Sequence, residues 1–321
     1  MRFVVMGAGG IGGVLGARLH HAGHDVALVA RGAHHDAMVA RGLRVESPDG
    51  IELARITVVD DPARLVPERD DVVLLTTKSQ HSVAALGALA SAGFADRPVI
   101  CVQNGVQNER AALRRFAVVY GCCVMFPTTF LEPGLVQAHS APVTGILDVG
   151  CYPAGADDTA QEVATAFAGA TFSTEPVVDI MRWKYGKLLM NLGNAVEAVC
   201  GPAARAGEIG RRARDEGTAA LTAAGIAFAS EAEDAARRGD MVRQLPVAGR
   251  ARQGGSSWQS LARGAGSIET DYLNGEIVLV GRLHGVPTPV NALLQRLAGE
   301  LARAGRPPGE MATDEFLARL G

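Results

Sequence analysis

The sequence predicts an α/β Rossmann domain with a mostly parallel sheet and added strands, followed by an all-helical C-terminal domain. Three observations lead there. The chain opens with an apolar five-residue strand that runs into Gly7-Ala8-Gly9-Gly10-Ile11-Gly12 and then into a helical period. Buried strands and helices alternate to about residue 174. From residue 179 only long helical periods remain, which sets a dinucleotide-binding domain over 1–176 and a helical substrate and catalytic domain over 177–321.

Bulk properties narrow the function. A net charge of −3 and a pI near 6.3 leave no basic footprint, so neither nucleic acid nor an anionic membrane is an expected partner. No apolar run has the length of a membrane span, and Met1 leads into a strand without a signal-peptide start; a cytoplasmic protein is expected. The five cysteines form no Cys-x-x-Cys pair, and an odd count argues against a disulfide framework. Cys122 and Cys123 alternate on a strand and read as small buried hydrophobes.

In order, the first strand spans 2–6 and the first helix 14–22, with a second strand over 25–30. Residues 43–59 hold two apolar stretches around Ser47-Pro48-Asp49-Gly50 and read as a hairpin. Strands follow over 71–77 and 98–102, with a helix over 83–90 between them. Further strands span 118–124, 135–138 and 144–149, with a turn at Glu132-Pro133-Gly134, then a helix over 157–168 and a short strand over 171–174. The helical half reads as 180–199, 211–229, 268–283 and 290–304, with one short helix in a tail over 306–321.

Four signals fall just past the C-terminal ends of strands, the edge where open α/β sheets bind ligands. Gly7, Gly9 and Gly12, with Ala8, Gly10 and Ile11 between them, form a turn that lets a pyrophosphate reach backbone N–H groups at a helix start. Arg31 ends the second strand. An acidic residue there would take the ribose hydroxyl of NAD, and an arginine pairs with the 2′-phosphate of NADP, so NADP (NADPH) is expected. Lys78 and Asn104 follow the next two strands.

In the helical half, Lys187, Asn191 and Asn194 sit at i, i+4 and i+7, one polar stripe among Leu188, Leu189 and Met190. A lysine so placed suits a general acid, with the asparagines holding a small polar substrate. Glu269 and Asp271 fall in the first turns of a helix, where the macrodipole alone accounts for both. The eight histidines, including His20-His21 and His34-His35, read as solvated; His20 and His24 share a face, yet no further metal ligand accompanies them, so no metal is expected.

Together, Gly7-x-Gly9-x-x-Gly12, Gln103-Asn104-Gly105, Lys187-Leu188-x-x-Asn191, Ser256-Ser257, Glu269-x-Asp271-x-x-Asn274-Gly275 and Gly285-Val-Pro-Thr-Pro289-x-Asn291 resemble the ketopantoate reductase family over nearly the whole chain. The resemblance implies NADPH-dependent reduction of a 2-oxo acid to a 2-hydroxy acid, in a cleft between a Rossmann and a helical domain. It makes Lys187 the acid that protonates the carbonyl oxygen and Glu269 the acidic partner. Asn191, Asn194 and Ser257 would bind substrate, with Asn104 at the nicotinamide end and Lys78 near the cofactor. Departures cluster at the substrate end: Asn194 comes one residue early and Ala195 holds the expected spot, while Trp258, Ser260, Gly266 and Ile268 replace family residues. The expected substrate is therefore ketopantoate or a close analogue. An opine-type dehydrogenase of the same plan and a non-enzymatic NADP sensor are the alternatives. Apolar helices in the second half could support a homodimer or serve as core.

Overall fold

The structure, a computed structural model, describes residues 1–320 apart from the side chain of Leu131. Gly321, the end of the expected tail, lies outside the described residues. By compactness the chain divides into two units, one of residues 1–103, 108–181 and 232–252 and the other of residues 104–107, 182–231 and 253–320. The chain thus crosses from one unit to the other near the expected junction at 176/177 and several times more.

In the first unit the elements are β1 (Arg2–Met6), α1 (Gly10–His21), β2 (Asp25–Val29), α2 (Gly32–Arg41), β3 (Leu43–Ser47), β4 (Gly50–Ala54), β5 (Thr57–Val59), β6 (Asp71–Leu75), α3 (Ser79–Leu89), β7 (Val99–Cys101), α4 (Asn108–Leu113), β8 (Val119–Met125), β9 (Thr128–Glu132), β10 (Leu135–Ala138), β11 (Gly145–Cys151), α5 (Asp158–Gly169) and β12 (Phe172–Ser173). The main sheet runs β12-β11-β8-β7-β6-β1-β2-β5, parallel except where β8 meets β11. Its six parallel strands, counted along the chain, stand in the order 3-2-1-4-5-6, the doubly wound Rossmann arrangement.

Both faces of this sheet are covered, which is why its strands are continuously apolar rather than alternating. On β1, Phe3 and Val5 join a core with Leu15, Leu19 and Phe167, while Val4 and Met6 enter a second core with Leu86, Leu89 and Phe94. Cys122 and Cys123 are both buried on β8. The expected hairpin forms as β3 and β4, but it belongs to a separate sheet, β4-β3-β10-β9, in which β3 pairs in parallel with β10. β5 leaves the hairpin and joins the main sheet beside β2.

The remaining elements are α6 (Ile180–Asn191), α7 (Gly193–Cys200), α8 (Glu208–Ala223), α9 (Glu231–Arg238), α10 (Ser256–Ala262), α11 (Asn274–His284), α12 (Pro289–Arg303) and α13 (Thr313–Ala318). Residues 232–252, which carry most of α9, pack in the first unit. There Arg237 grips the buried Asp148 of β11 through Nη2 to Oδ1 at 2.6 Å and Nε to Oδ2 at 3.0 Å, and the Leu245 N–H donates to the His139 carbonyl at 2.8 Å.

Three expected helices differ in the second unit: the one read over 211–229 ends at Ala223, and the one read over 268–283 is a 3-10 turn, Glu269–Tyr272, followed by α11. The helix read over 180–199 is two, α6 and α7, although Leu192 between them keeps helical angles (φ −57°, ψ −32°). Side chains reach carbonyls around this junction: Arg205 Nη2 donates to the Met190 oxygen at 3.2 Å and Asn274 Nδ2 to the Leu192 oxygen at 3.3 Å. Asn274 Nδ2 also donates to Asn291 Oδ1 at 3.0 Å, and Asn291 Nδ2 reaches Glu216 Oε2 at 2.8 Å. Glu216 in turn accepts the Val290 and Asn291 N–H groups at the start of α12. This buried relay ties the two motif asparagines, Asn274 and Asn291, to the α6–α7 junction and to the start of α12.

Candidate active site

The nucleotide end is built in the first unit at the switch point between β1 and β6. Gly7 turns the chain with φ +108°, and Thr76 Oγ1 clamps that turn by donating to the Gly7 carbonyl at 2.7 Å. α1 starts at Gly10, four residues before the expected Val14, because the glycines are the first turn of the helix rather than a loop ahead of it. A Cβ on Gly12 would lie 2.2 Å from the Gly7 carbonyl oxygen and 2.4 Å from Thr76 Oγ1, so helix and strand touch there. A Cβ on Gly9 would meet nothing within 4 Å. Gly9 occupies the N-cap position with no side-chain cap, and no acidic residue lies in the first turn. An open, uncapped helix start with its glycine facing free space fits a pyrophosphate, whose oxygens would accept from the backbone N–H groups of Gly10 and Ile11. Ala8, between Gly7 and Gly9, is buried.

Arg31 is exposed at the N-cap position of α2. Among the described residues it has no ion-pair partner, which leaves its guanidinium available to a phosphate. Lys78 occupies the N-cap position of α3, just past β6.

Two histidines expected in solvent are structural. His34 bridges two segments: its Nε2 donates to the Ala8 carbonyl at 2.7 Å and its Nδ1 accepts from the Gly134 N–H at 2.9 Å, with Phe130 against the ring. α2, absent from the expected elements, places it there. His139 is buried and pairs through Nε2 with Thr129 Oγ1 at 2.8 Å. Sequence reading missed both because each partner is brought in by tertiary structure.

The His34 arrangement needs a neutral ring, since a second N–H would face the Gly134 donor. Burial lowers its pKa below the ordinary 6.5, against the Ala8 bond that raises it. A histidine with a lowered folded pKa contributes stability that is full above 6.5 and is lost as pH falls below 6.5 through the folded value. The melting temperature should therefore drop between neutral and mildly acid pH, and His34→Gln should flatten part of that slope. An identical pH profile in the variant would remove the histidine from the account.

The residues expected at the substrate end lie in the second unit. Lys187 lies half-buried on α6, one turn before the buried Asn191, and the buried Leu188 and Leu189 anchor that turn. Asn191 Nδ2 donates to Asn104 Oδ1 at 3.0 Å, so the asparagine expected at the nicotinamide end and one expected on substrate are joined amide to amide. Gly105, beside Asn104, has φ +81°, and a Cβ there would press to 3.1 Å from the Tyr272 carbonyl; only glycine suits that approach.

Tyr272 closes the 3-10 turn Glu269–Tyr272 that Glu269 opens, immediately before α11. Glu269 is therefore not in the first turn of an α-helix, and it is buried, so a favourable macrodipole does not suffice to explain it. A carboxylate at that depth stays ionised only with polar or charged neighbours. Asp271, in contrast, accepts from Gln295 Nε2 at 2.8 Å at the surface.

Ser257 and Asn194 are buried on α10 and α7. Around them lies a group that spacing did not reveal. Glu197 Oε1 accepts from Arg205 Nη1 at 2.9 Å, and Glu197 Oε2 accepts the Gly255 N–H at 2.7 Å just before α10. Arg205 Nη1 also donates to Asn194 Oδ1 at 3.2 Å. Lys184, buried one turn before Lys187, was likewise missed. The i, i+3 relation was visible in the sequence, but nothing in it indicated depth.

Comparison with known proteins bears on this arrangement. Residues 3–154 match the model described as ketopantoate reductase PanE/ApbA, and residues 179–302 match its C-terminal counterpart. A 2-dehydropantoate 2-reductase of Pyrococcus horikoshii is 28% identical over 305 residues, covering 92% of this chain and 96% of that protein. The crystal structure of a PanE/ApbA family ketopantoate reductase from Ralstonia eutropha JMP134 superposes with a TM-score of 0.80 at 29% identity, covering 95% of this chain and 99% of that one. A ternary structure of D-mandelate dehydrogenase with NADH and anilino(oxo)acetate shares the fold, with a TM-score of 0.81 at 20% identity over 95% of this chain and 99% of that one.

Proposed function

The chain belongs to the ketopantoate reductase family, and from that premise we propose that it reduces ketopantoate, or a close 2-oxo acid, to the 2-hydroxy acid with NADPH. Bound NADPH supplies the hydride. The α1 start and Gly9 would hold its pyrophosphate and Arg31 its 2′-phosphate, with Lys78 near the cofactor and Asn104 at its nicotinamide end. Negative charge builds on the keto oxygen as C2 is reduced; Lys187 stabilises that charge and gives up the proton that completes the hydroxyl. Asn191, Asn194 and Ser257 orient the substrate, which matters as much as the acid because misplacement costs rate steeply. Glu269 is the acidic partner in the same unit. The observation that most supports this reading is the Asn191–Asn104 amide bond one helical turn from Lys187. A sensor would leave Lys187 and Glu269 without a task.

The test is a screen of NADPH and NADH oxidation over ketopantoate, pyruvate, branched 2-oxo acids and an aryl 2-oxo acid. Turnover with ketopantoate and preference for NADPH are expected, and Arg31→Ala should reduce that preference by about tenfold or more, the value of a charge-assisted pair. Silence across the panel with tight NADPH binding would favour a sensor, and an unchanged preference in Arg31→Ala would remove the basis for NADP.

A further inference from the structure

Arg205 has no place in the motifs, yet it meets three groups around the junction of α6 and α7. It donates to Asn194 Oδ1, to Glu197 Oε1 and to the Met190 carbonyl. Its stem lies across Gly193, where a Cβ would sit 3.0 Å from Arg205 Cγ and Nε. Glu197 is the other half of the device. Its second oxygen takes the Gly255 N–H, and a Cβ on Gly255 would fall 2.6 Å from Glu197 Oε2 and 3.0 Å from Asn194 Oδ1. Asn194, Glu197, Arg205 and the segment leading into α10 are therefore in mutual contact, and two glycines make room for it.

A guanidinium has donors and no acceptor, so it admits only one orientation of the amide it touches: the Asn194 oxygen faces Arg205 and the NH2 group is left to donate elsewhere. Without Arg205 the amide could turn over and offer its oxygen. A 2-oxo acid presents carboxylate and carbonyl oxygens, which accept only, so the orientation decides whether Asn194 attracts or repels it. Glu197 keeps the cation in place, neutralises it, and ties the same pair to the helix that carries Ser257.

We propose that Arg205 is a positioning residue that presents the Asn194 amide to the 2-oxo acid as a hydrogen-bond donor, with Glu197 fixing Arg205 against the start of α10. The inference rests on the assignment of Asn194 to the substrate given above.

Steady-state kinetics on ketopantoate test it with Arg205→Ala, Asn194→Ala and the double variant, each checked by melting temperature and NADPH dissociation constant. Arg205→Ala should raise KM for the 2-oxo acid about tenfold, with kcat within about twofold and NADPH binding unchanged. In the Asn194→Ala background the same change should do little more, because both substitutions remove one interaction. Arg205→Lys, which keeps stem and charge but not the fork, should raise KM less and serves if the alanine variant does not fold. Additive losses in the double variant, or a fall in kcat and melting temperature with KM unmoved, would make the contact merely structural and overturn the proposal. A wild-type protein that reduces no 2-oxo acid would instead bring down the functional reading, and this assignment with it. Activity that is normal in both Arg205 variants sinks the positioning role alone.

Discussion

Lys187→Ala should lower kcat by about a thousandfold while NADPH binds as before, the range expected for loss of a general acid that also stabilises developing charge. The reaction makes an alkoxide in all but name, and the ammonium is the group assigned to both stabilise and protonate it. Its helix turn is held by Leu188 and Leu189, which are buried whatever occupies position 187, so the substitution should leave the fold intact. Lys187→Arg keeps a cation but one that does not release its proton, so it should recover binding of the transition-state charge and little of the transfer. Near-normal turnover in the alanine variant would mean the acid is elsewhere.

The second large effect lies at the other end of the chain and comes as a contrast between two glycines. Gly12→Ala puts a methyl 2.2 Å from the Gly7 carbonyl oxygen, backbone against backbone, with no flexible side chain to give way. Overpacking of this kind costs about 1–3 kcal/mol of stability. Because the turn must move away from the geometry that receives the pyrophosphate, the NADPH dissociation constant should also rise by about tenfold, a loss of about 1.4 kcal/mol in binding. Gly9→Ala adds its methyl to open space, so the melting temperature should hold while NADPH affinity falls, since the methyl would stand in the space assigned to the pyrophosphate. Equal loss of stability in the two variants, or unimpaired NADPH binding by Gly9→Ala, would contradict the assigned roles.

These glycines also show what was legible in the sequence. The strand–turn–helix order and the edge residues were readable because each depends on local spacing, and β1, β2, β6 and β7 formed close to where apolar runs predicted them. The helix start was misplaced by four residues because glycine is a poor helix former, and here close packing against β1 overrides that propensity. α2 escaped because its polar stretch carries no strong period. The parallel pairing of β3 with β10 escaped because strands some ninety residues apart leave no local trace.

The same divide runs through the candidate site. Helical spacing placed Lys187 and Asn191 one turn apart on α6, while Asn194, read on the same helix, lies on α7. The Asn104–Asn191 bond, the Glu197–Arg205 pair and the side-chain bonds to the Met190 and Leu192 carbonyls have no local signal, since each joins segments whose meeting is set by packing. The missing residue before Asn194 was visible in the sequence as a departure. Its setting is the junction of α6 and α7, with Arg205 and Asn274 bonded to the carbonyls there.

The most direct test of the account follows the hydride. With NADPH dideuterated at the nicotinamide C4 and ketopantoate as acceptor, the 2-hydroxy acid should carry one deuterium at C2 for each NADP+ formed. Oxidation that leaves C2 unlabelled, or no oxidation at all, would contradict it.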